Sequence, residues 1–327
     1  MRTRLLAIAA PAFVALIVGA AACSSASGAN GTSATGPSAT GTSAAGASAS
    51  SAGAIVAVGA ENQYADVISQ VGGKYVNVSA IMSNPSTDPH TFEASAQVAQ
   101  AVGSAQLVVQ NGLGYDAFMN TIENAVGSSG RKVIDVQKLL DVPDAEPNPH
   151  LWYRPGTMAA VANAVAGDLA VIQPVHAAYF KANATAFVKS LDAWTAAMSA
   201  FSTKYPGTKV ATTEPVADYL LQAIGADNLT PMTFQLNVMN GTDPSAQNVA
   251  TERSLFTQHK VKVLVYNQQV TDSLTQSFIT LAHANGIPVV GVYETMPTPG
   301  YDYQSWMVAE VQALSKAVQQ KVSTEHL

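Results

Sequence analysis

Apolar residues along the chain fall into short β-rich runs that alternate with stretches of helical periodicity. Runs at residues 54–59, 75–81, 106–110 and 132–136 predict strands, and helices are expected between them over 61–71, 94–104 and 115–126. From 157 to 204 the chain is almost entirely helix formers, broken once at Pro174. Residues 175–204 therefore read as one long helix, which Tyr205-Pro206-Gly207 terminates. Afterwards strands are expected at 210–213, 261–266 and 287–292, with helices at 215–224, 246–259, 273–285 and 303–321. Alternation of this kind builds βαβ units and parallel sheets. The predicted fold is α/β: two lobes, each with a mostly parallel sheet flanked by helices, joined by a long rigid linking helix. The expected bounds are 54–156 for the first lobe, 157–205 for the helical spine and 206–327 for the second lobe.

The segment ahead of these lobes has a different character. Arg2 and Arg4 precede an apolar run that ends in Gly19-Ala20-Ala21-Ala22-Cys23, the pattern of a secretory signal rather than of a folded element. Its small-residue boundary with a cysteine resembles the lipobox of bacterial lipoproteins, which implies a signal peptide over 1–23 and a lipid anchor on Cys23. Residues 24–53 are Ser, Ala, Gly or Thr except for Asn30 and Pro37. With nothing to offset the entropy of ordering it, this stretch is expected to be a disordered tether. Random-coil scaling gives it a reach of roughly 30 Å. An extracytoplasmic body held at the cell membrane is the corresponding expectation.

Composition narrows the function. Lys and Arg number 16 against 22 Asp and Glu, a formal net charge of −6 without a basic stripe, which argues against nucleic acid as a partner. The lone cysteine allows no intramolecular disulfide. Beyond the signal, no apolar run reaches bilayer-spanning length. A monomer is expected.

The chemistry concentrates in two similar tripeptides, Asp88-Pro89-His90 and Asn148-Pro149-His150, in a chain with only six histidines. A preceding proline stiffens the loop and aims each imidazole. In open α/β sheets, ligands bind beyond the carboxyl ends of strands. His90 follows the strand at 75–81, Glu214 follows the strand at 210–213, Glu294 follows that at 287–292, and His150 closes the loop before the spine. Two neutral imidazoles and two carboxylates carry a charge that cancels a divalent cation, so His90, His150, Glu214 and Glu294 are the candidate metal ligands. His176, His259, His283 and His326 are expected in surface roles. Trp152 and Tyr219 are expected to pack near the cleft.

These residues carry a family resemblance. Asp88-Pro89-His90-Thr91-Phe92-Glu93, Asn148-Pro149-His150-Leu151-Trp152, the pattern Pro174…Tyr179…Asn183-Ala184 and Glu214…Tyr219 resemble the metal-binding lipoproteins, the cluster A-I solute-binding proteins, of ABC-type manganese, zinc and iron importers. The likeness runs in order over essentially all of 54–327. It implies a two-lobed receptor with one metal in the cleft and delivery to an ABC permease and its ATPase. Carried over by motif, the ligands are again His90, His150, Glu214 and Glu294. The chain departs from the family pattern at Asn148 and Arg154, where Asp is usual, at Glu294, where Asp is common, and at Asn267, where an acid is frequent.

An oxygen-rich donor set suits Mn²⁺ or Fe²⁺, whereas Zn²⁺ prefers nitrogen and thiolate donors, so Mn²⁺ is placed slightly ahead of Zn²⁺. The rival readings are a secreted metal-dependent hydrolase and a surface adhesin or structural lipoprotein that does not transport metal. An enzyme would need an open coordination position and a nearby general base. No H-E-x-x-H, G-x-S-x-G or P-loop motif is present, so the expectation is a binding protein rather than an enzyme.

Overall fold

The computed structural model describes residues 53–84, 92, 94–127, 130–297 and 299–327. The signal, Cys23 and the tether lie outside these residues, as does His90.

The first lobe opens with β1 (Ile55–Glu61), which is buried on both faces, as a central parallel strand must be. It continues with α1 (Asn62–Gly72), β2 (Val76–Met82), α2 (Ala96–Ser104), β3 (Leu107–Gln110), α3 (Ala117–Val126), β4 (Lys132–Asp135) and the single turn α4 (Val136–Leu139). The strands run in the order β2-β1-β3-β4, every pair parallel, with Ala57 opposite both Val78 and Leu107. The chain moves from β1 to one side and then returns to the other, so the crevice of this sheet opens at the carboxyl ends of β1 and β3. Gly59 permits the tight strand-to-helix junction there: a Cβ at this position would lie 2.4 Å from the backbone nitrogen of Ala65.

The middle consists of α5 (Thr157–Ile172), α6 (Ala177–Ser190) and α7 (Asp192–Lys204). The single helix expected over 175–204 is thus two helices that meet at Leu191. The Ser190 hydroxyl donates to the Phe187 carbonyl at 2.6 Å, and the Leu191 amide turns to the Val188 carbonyl at 3.2 Å. That exchange removes one regular helical bond and tightens the turn. A single 3-10 turn at Pro174–His176 precedes α6, as the proline requires.

The second lobe repeats the plan with β5 (Lys209–Thr212), α8 (Asp218–Ala223), β6 (Asp227–Asn228), α9 (Met232–Met239), α10 (Ala246–Thr257), β7 (Val263–Asn267), α11 (Ser273–Ala284), β8 (Val289–Val292) and α12 (Tyr303–Gln320). The strand order β6-β5-β7-β8, again all parallel, copies that of the first sheet. Helices α11 and α12 start on capping boxes, Asp272 with Thr275 and Asp302 with Ser305. The C-terminal residues lie beside β8, where the Gly291 amide donates to the Thr324 carbonyl at 2.9 Å. The missing side chain at 291 allows this approach, since a Cβ would lie 2.1 Å from the Glu325 carbonyl oxygen.

One continuous apolar core joins α1, the spine, α8 and α12, and two smaller clusters cover the outer faces of the sheets. Trp152, Tyr153, Tyr303 and Trp306 are fully buried at its centre. Among them lies Glu310, which accepts from the Trp306 indole at 2.9 Å and the Tyr153 hydroxyl at 3.2 Å. Burial raises the Glu310 carboxyl to about 8, against the two hydrogen bonds that lower it.

A group whose folded-state pKa is raised favours the protonated fold. Its contribution is complete below the unfolded value of 4.5 and is lost as pH rises through about 8. Glu310→Gln should therefore flatten the decline in stability between about pH 5 and 8, by on the order of a few kcal/mol. Urea unfolding at a series of pH values checks this, and an unaltered slope would refute it.

Candidate metal centre

The site forms where the carboxyl ends of β5, β7 and β8 meet the loop that closes the first lobe. His150 is fully buried at the start of a 3-10 turn, Leu151–Tyr153. Its Nδ1 lies 2.7 Å from the Asn148 side-chain oxygen, which also accepts from the His150 amide at 3.1 Å. The Asn148 amide nitrogen donates to the Pro215 carbonyl at 2.8 Å, so the orientation of this side chain is fixed. An amide oxygen only accepts, so Nδ1 carries the proton and the lone pair of the neutral ring sits on Nε2. Asn148 thus fixes the tautomer and the orientation of the ring. Tyr115 and Trp152 hold the ring edge-on, with centroids 5.8 and 5.4 Å away. Tyr219 lies nearby and donates to the Asn148 carbonyl at 3.0 Å, in the packing role expected of it.

Glu294, also fully buried, brings Oε2 to 3.4 Å from His150 Nε2. A lone pair and a carboxylate oxygen face each other there, and only a proton or a cation between them makes the approach favourable. The loop carrying Glu294 is gripped from several directions. Gln269 accepts from the Glu294 amide at 2.7 Å, and Gln63 donates to the Glu294 carbonyl at 3.1 Å. Asn62 donates to the Met296 carbonyl at 2.7 Å and accepts from the Met296 amide at 2.8 Å.

Glu214 follows β5 and is buried. The helix expected from 215 begins instead at Asp218, because Pro215 opens a turn closed by the Asp218 amide on the Pro215 carbonyl. Glu214 is therefore a loop residue of the sheet edge rather than a helix-start acid. Asn267, the last residue of β7, donates one amide group to both acids, at 3.1 Å to Glu214 Oε2 and 2.6 Å to Glu294 Oε1. An acid at 267 would add a third carboxylate to this buried cluster, whereas the amide ties the two together.

The described structure therefore brings His150 and Glu294 together directly and attaches Glu214 through Asn267. Among the described residues, no three His, Cys, Asp or Glu side chains gather closely enough to hold a metal ion. Of the remaining histidines, His176 stacks on Tyr75 at 3.6 Å and His283 pairs with Glu325 at 3.1 Å, both away from the site.

Sequence reasoning did not single out Glu61, which is fully buried at the end of β1. The helix expected over 61–71 would start on this residue, yet it still pairs with Met82 in the sheet. The rule of strand carboxyl ends would have found it. Burial and the negative charge of Asp116 push its carboxyl well up. Asp116 accepts from the amides of Asn111 and Gly112 at 2.6 and 2.9 Å, yet burial still raises it to about 6.

Two α/β lobes of identical strand order, with a buried polar site at their sheet edges and a helical spine between, define the class of two-lobed solute-binding proteins. A family model described as zinc-uptake complex component A, periplasmic (ZnuA), matches residues 58–317, and the chain belongs to that family. It is 27% identical over 142 residues to the manganese-binding lipoprotein MntA of Bacillus subtilis, covering 41% of this chain and 46% of that protein. The matched segment thus spans about half the length of that relative. It is 21% identical over 229 residues to the zinc-binding protein TroA of Treponema pallidum, covering 68% of this chain and 73% of that one. The solved structure of TroA superposes with a TM-score of 0.68 at 18% identity, over 81% of this chain and 98% of that chain. The solute-binding protein FpvC of Pseudomonas aeruginosa, solved with Mn²⁺, gives 0.66 at 22% identity, over 83% and 100%. Among the described residues no helix is long and apolar enough to cross a membrane.

Asn267→Leu should destabilise the protein by about 1–3 kcal/mol, because two buried carboxylates lose their shared donor. Chemical denaturation of the metal-free protein checks this, and unchanged stability would show that the amide bridge contributes nothing.

Proposed function

We propose that this protein is the extracytoplasmic receptor of an ABC importer for a divalent transition metal, with Mn²⁺ ahead of Zn²⁺ and Fe²⁺ as cargo. The observation that carries the reading is the approach of His150 Nε2 to Glu294 Oε2 at 3.4 Å in a fully buried site, with the ring proton committed to Asn148. A buried pair of acceptors is a receptor for a cation. His90, His150, Glu214 and Glu294 are the ligands in this reading, His90 following β2 in the sequence. Carboxylate oxygens outnumber nitrogens in this set, which favours higher-coordinate, oxygen-preferring ions over tetrahedral Zn²⁺. Names of similar proteins support both cargoes, since MntA is manganese-binding and TroA zinc-binding.

The receptor is anchored through a lipid on Cys23, works as a monomer and passes its cargo to a permease with its ATPase. Residues 1–23, 24–53, 54–156, 157–205 and 206–327 serve as signal, tether, first lobe, spine and second lobe. It captures rather than turns over its ligand. Four protein ligands closing on an ion fit capture better than turnover.

Isothermal titration of metal-stripped protein with Mn²⁺ and Zn²⁺ should give one site per chain. His150→Ala should raise the Kd by more than roughly 100-fold, beyond the 10–100-fold typical of outer ligand partners. Affinity should also fall as pH drops from about 7 to about 5, because protons compete for imidazole nitrogen. No uptake of either ion, or an affinity flat across that range, would contradict the reading.

A further inference from the structure

The segment Glu61-Asn62-Gln63 joins β1 to α1 and lies against the Glu294 loop of the other lobe. Asn62 forms its reciprocal pair with Met296, and Gln63 donates to the Glu294 carbonyl. Glu61 immediately precedes this clasp. It is fully buried, and neither of its carboxyl oxygens has a hydrogen-bond partner among the described residues. Leaving such a group unsatisfied is costly, so a buried carboxyl with nothing to accept from calls for a ligand. The titratable groups facing it are Tyr64 on α1 and Tyr115 and Asp116 on the loop after β3. No ion pair of Glu61 occurs among the described residues.

The other groups are already committed. Tyr64 donates to the Asn111 side chain at 2.6 Å, and both oxygens of Asp116 accept backbone amides. Tyr115 is different. Its phenol is coupled electrostatically to both Glu294 and Glu61, and its ring stands 5.8 Å from that of His150. Tyr115 therefore couples the Glu61 carboxyl to the site where cargo would bind.

We propose that Glu61 is a positioning carboxylate of the cargo site, supplied by the first lobe and acting on the bound divalent cation through the Tyr115 hydroxyl or one water. This deepens the receptor reading and rests on it. The clasp of Asn62 and Gln63 holds Glu61 at the site, and the cation supplies the positive charge that the carboxyl lacks. Since Glu61 does not touch the ion, its contribution is electrostatic and extends to Mn²⁺ and Zn²⁺ alike.

The test is titration of the metal-stripped full chain with Mn²⁺ and with Zn²⁺ for the parent, Glu61→Gln, Tyr115→Phe, the double variant and His150→Ala. Glu61→Gln should weaken both ions by about tenfold or more, while thermal unfolding of the metal-free variant stays at or above the parent value. The double variant should lose less than the product of the two single losses, because both act along one path. Parent affinity for both ions in Glu61→Gln, or losses that simply multiply, would overturn the proposal. If His150→Ala keeps parent affinity, the receptor reading itself fails; if it loses affinity while Glu61→Gln does not, only the role of Glu61 falls. Should the Gln variant not fold, the Mn²⁺-loaded crystal structure of the unaltered protein decides. A Glu61 oxygen joined to the ion by Tyr115 or a single water supports the proposal, and a carboxyl without that path overturns it.

Discussion

The meeting of His150 and Glu294, both withdrawn from water, is the constraint that organises the rest of the molecule. A neutral ring nitrogen and a carboxylate do not stay together in an apolar interior unless their remaining polar atoms are satisfied and something positive lies between them. The surroundings supply the first condition. Asn148 takes the ring proton, Asn267 donates to the Glu294 carboxylate, and Gln269 and Gln63 hold its backbone. The repeated sheet order turns the carboxyl ends of β5, β7 and β8 toward this point, and the aromatic core around Trp152 and Tyr153 keeps it dry.

Neutral amides do much of the electrostatic adjustment. Asn148 and Asn267 each make the contacts of an acceptor or bridge without adding charge. With Glu at 294 as well as at 214, further carboxylates at 148 and 267 would raise the cost of closing the site. The chain keeps its charges on the groups that would face a cation and uses amides to orient them. Glu61 and Asp116 show the opposite case, in which burial is tolerated by pushing the carboxyl toward its neutral form.

Much of this architecture was legible from period and punctuation. Seven of the strands and the long helices fall within a few residues of their expected positions because buried parallel strands read as continuous apolar runs and capping residues mark helix starts. What was missed has physical reasons. Strand β6 spans only Asp227–Asn228, too short for any period, and α9 mixes polar and apolar residues on all sides. The break at Leu191 depends on a serine hydroxyl competing for a carbonyl, which no periodicity reveals. Glu61 was hidden because an acid at a helix start has an ordinary explanation in the macrodipole, and only the tertiary contacts of Asn62 and Gln63 relate it to the other lobe. Asn267 was visible as a departure, but its bridging of two acids emerges only when β5, β7 and β8 lie side by side.

The most direct measurement is anomalous X-ray scattering from crystals of the metal-stripped protein reloaded with Mn²⁺. The account predicts one strong peak per chain between His150 Nε2 and the Glu294 carboxylate, with donor distances of roughly 2.0–2.6 Å. A peak elsewhere, or none while these two side chains remain in mutual contact, would contradict it.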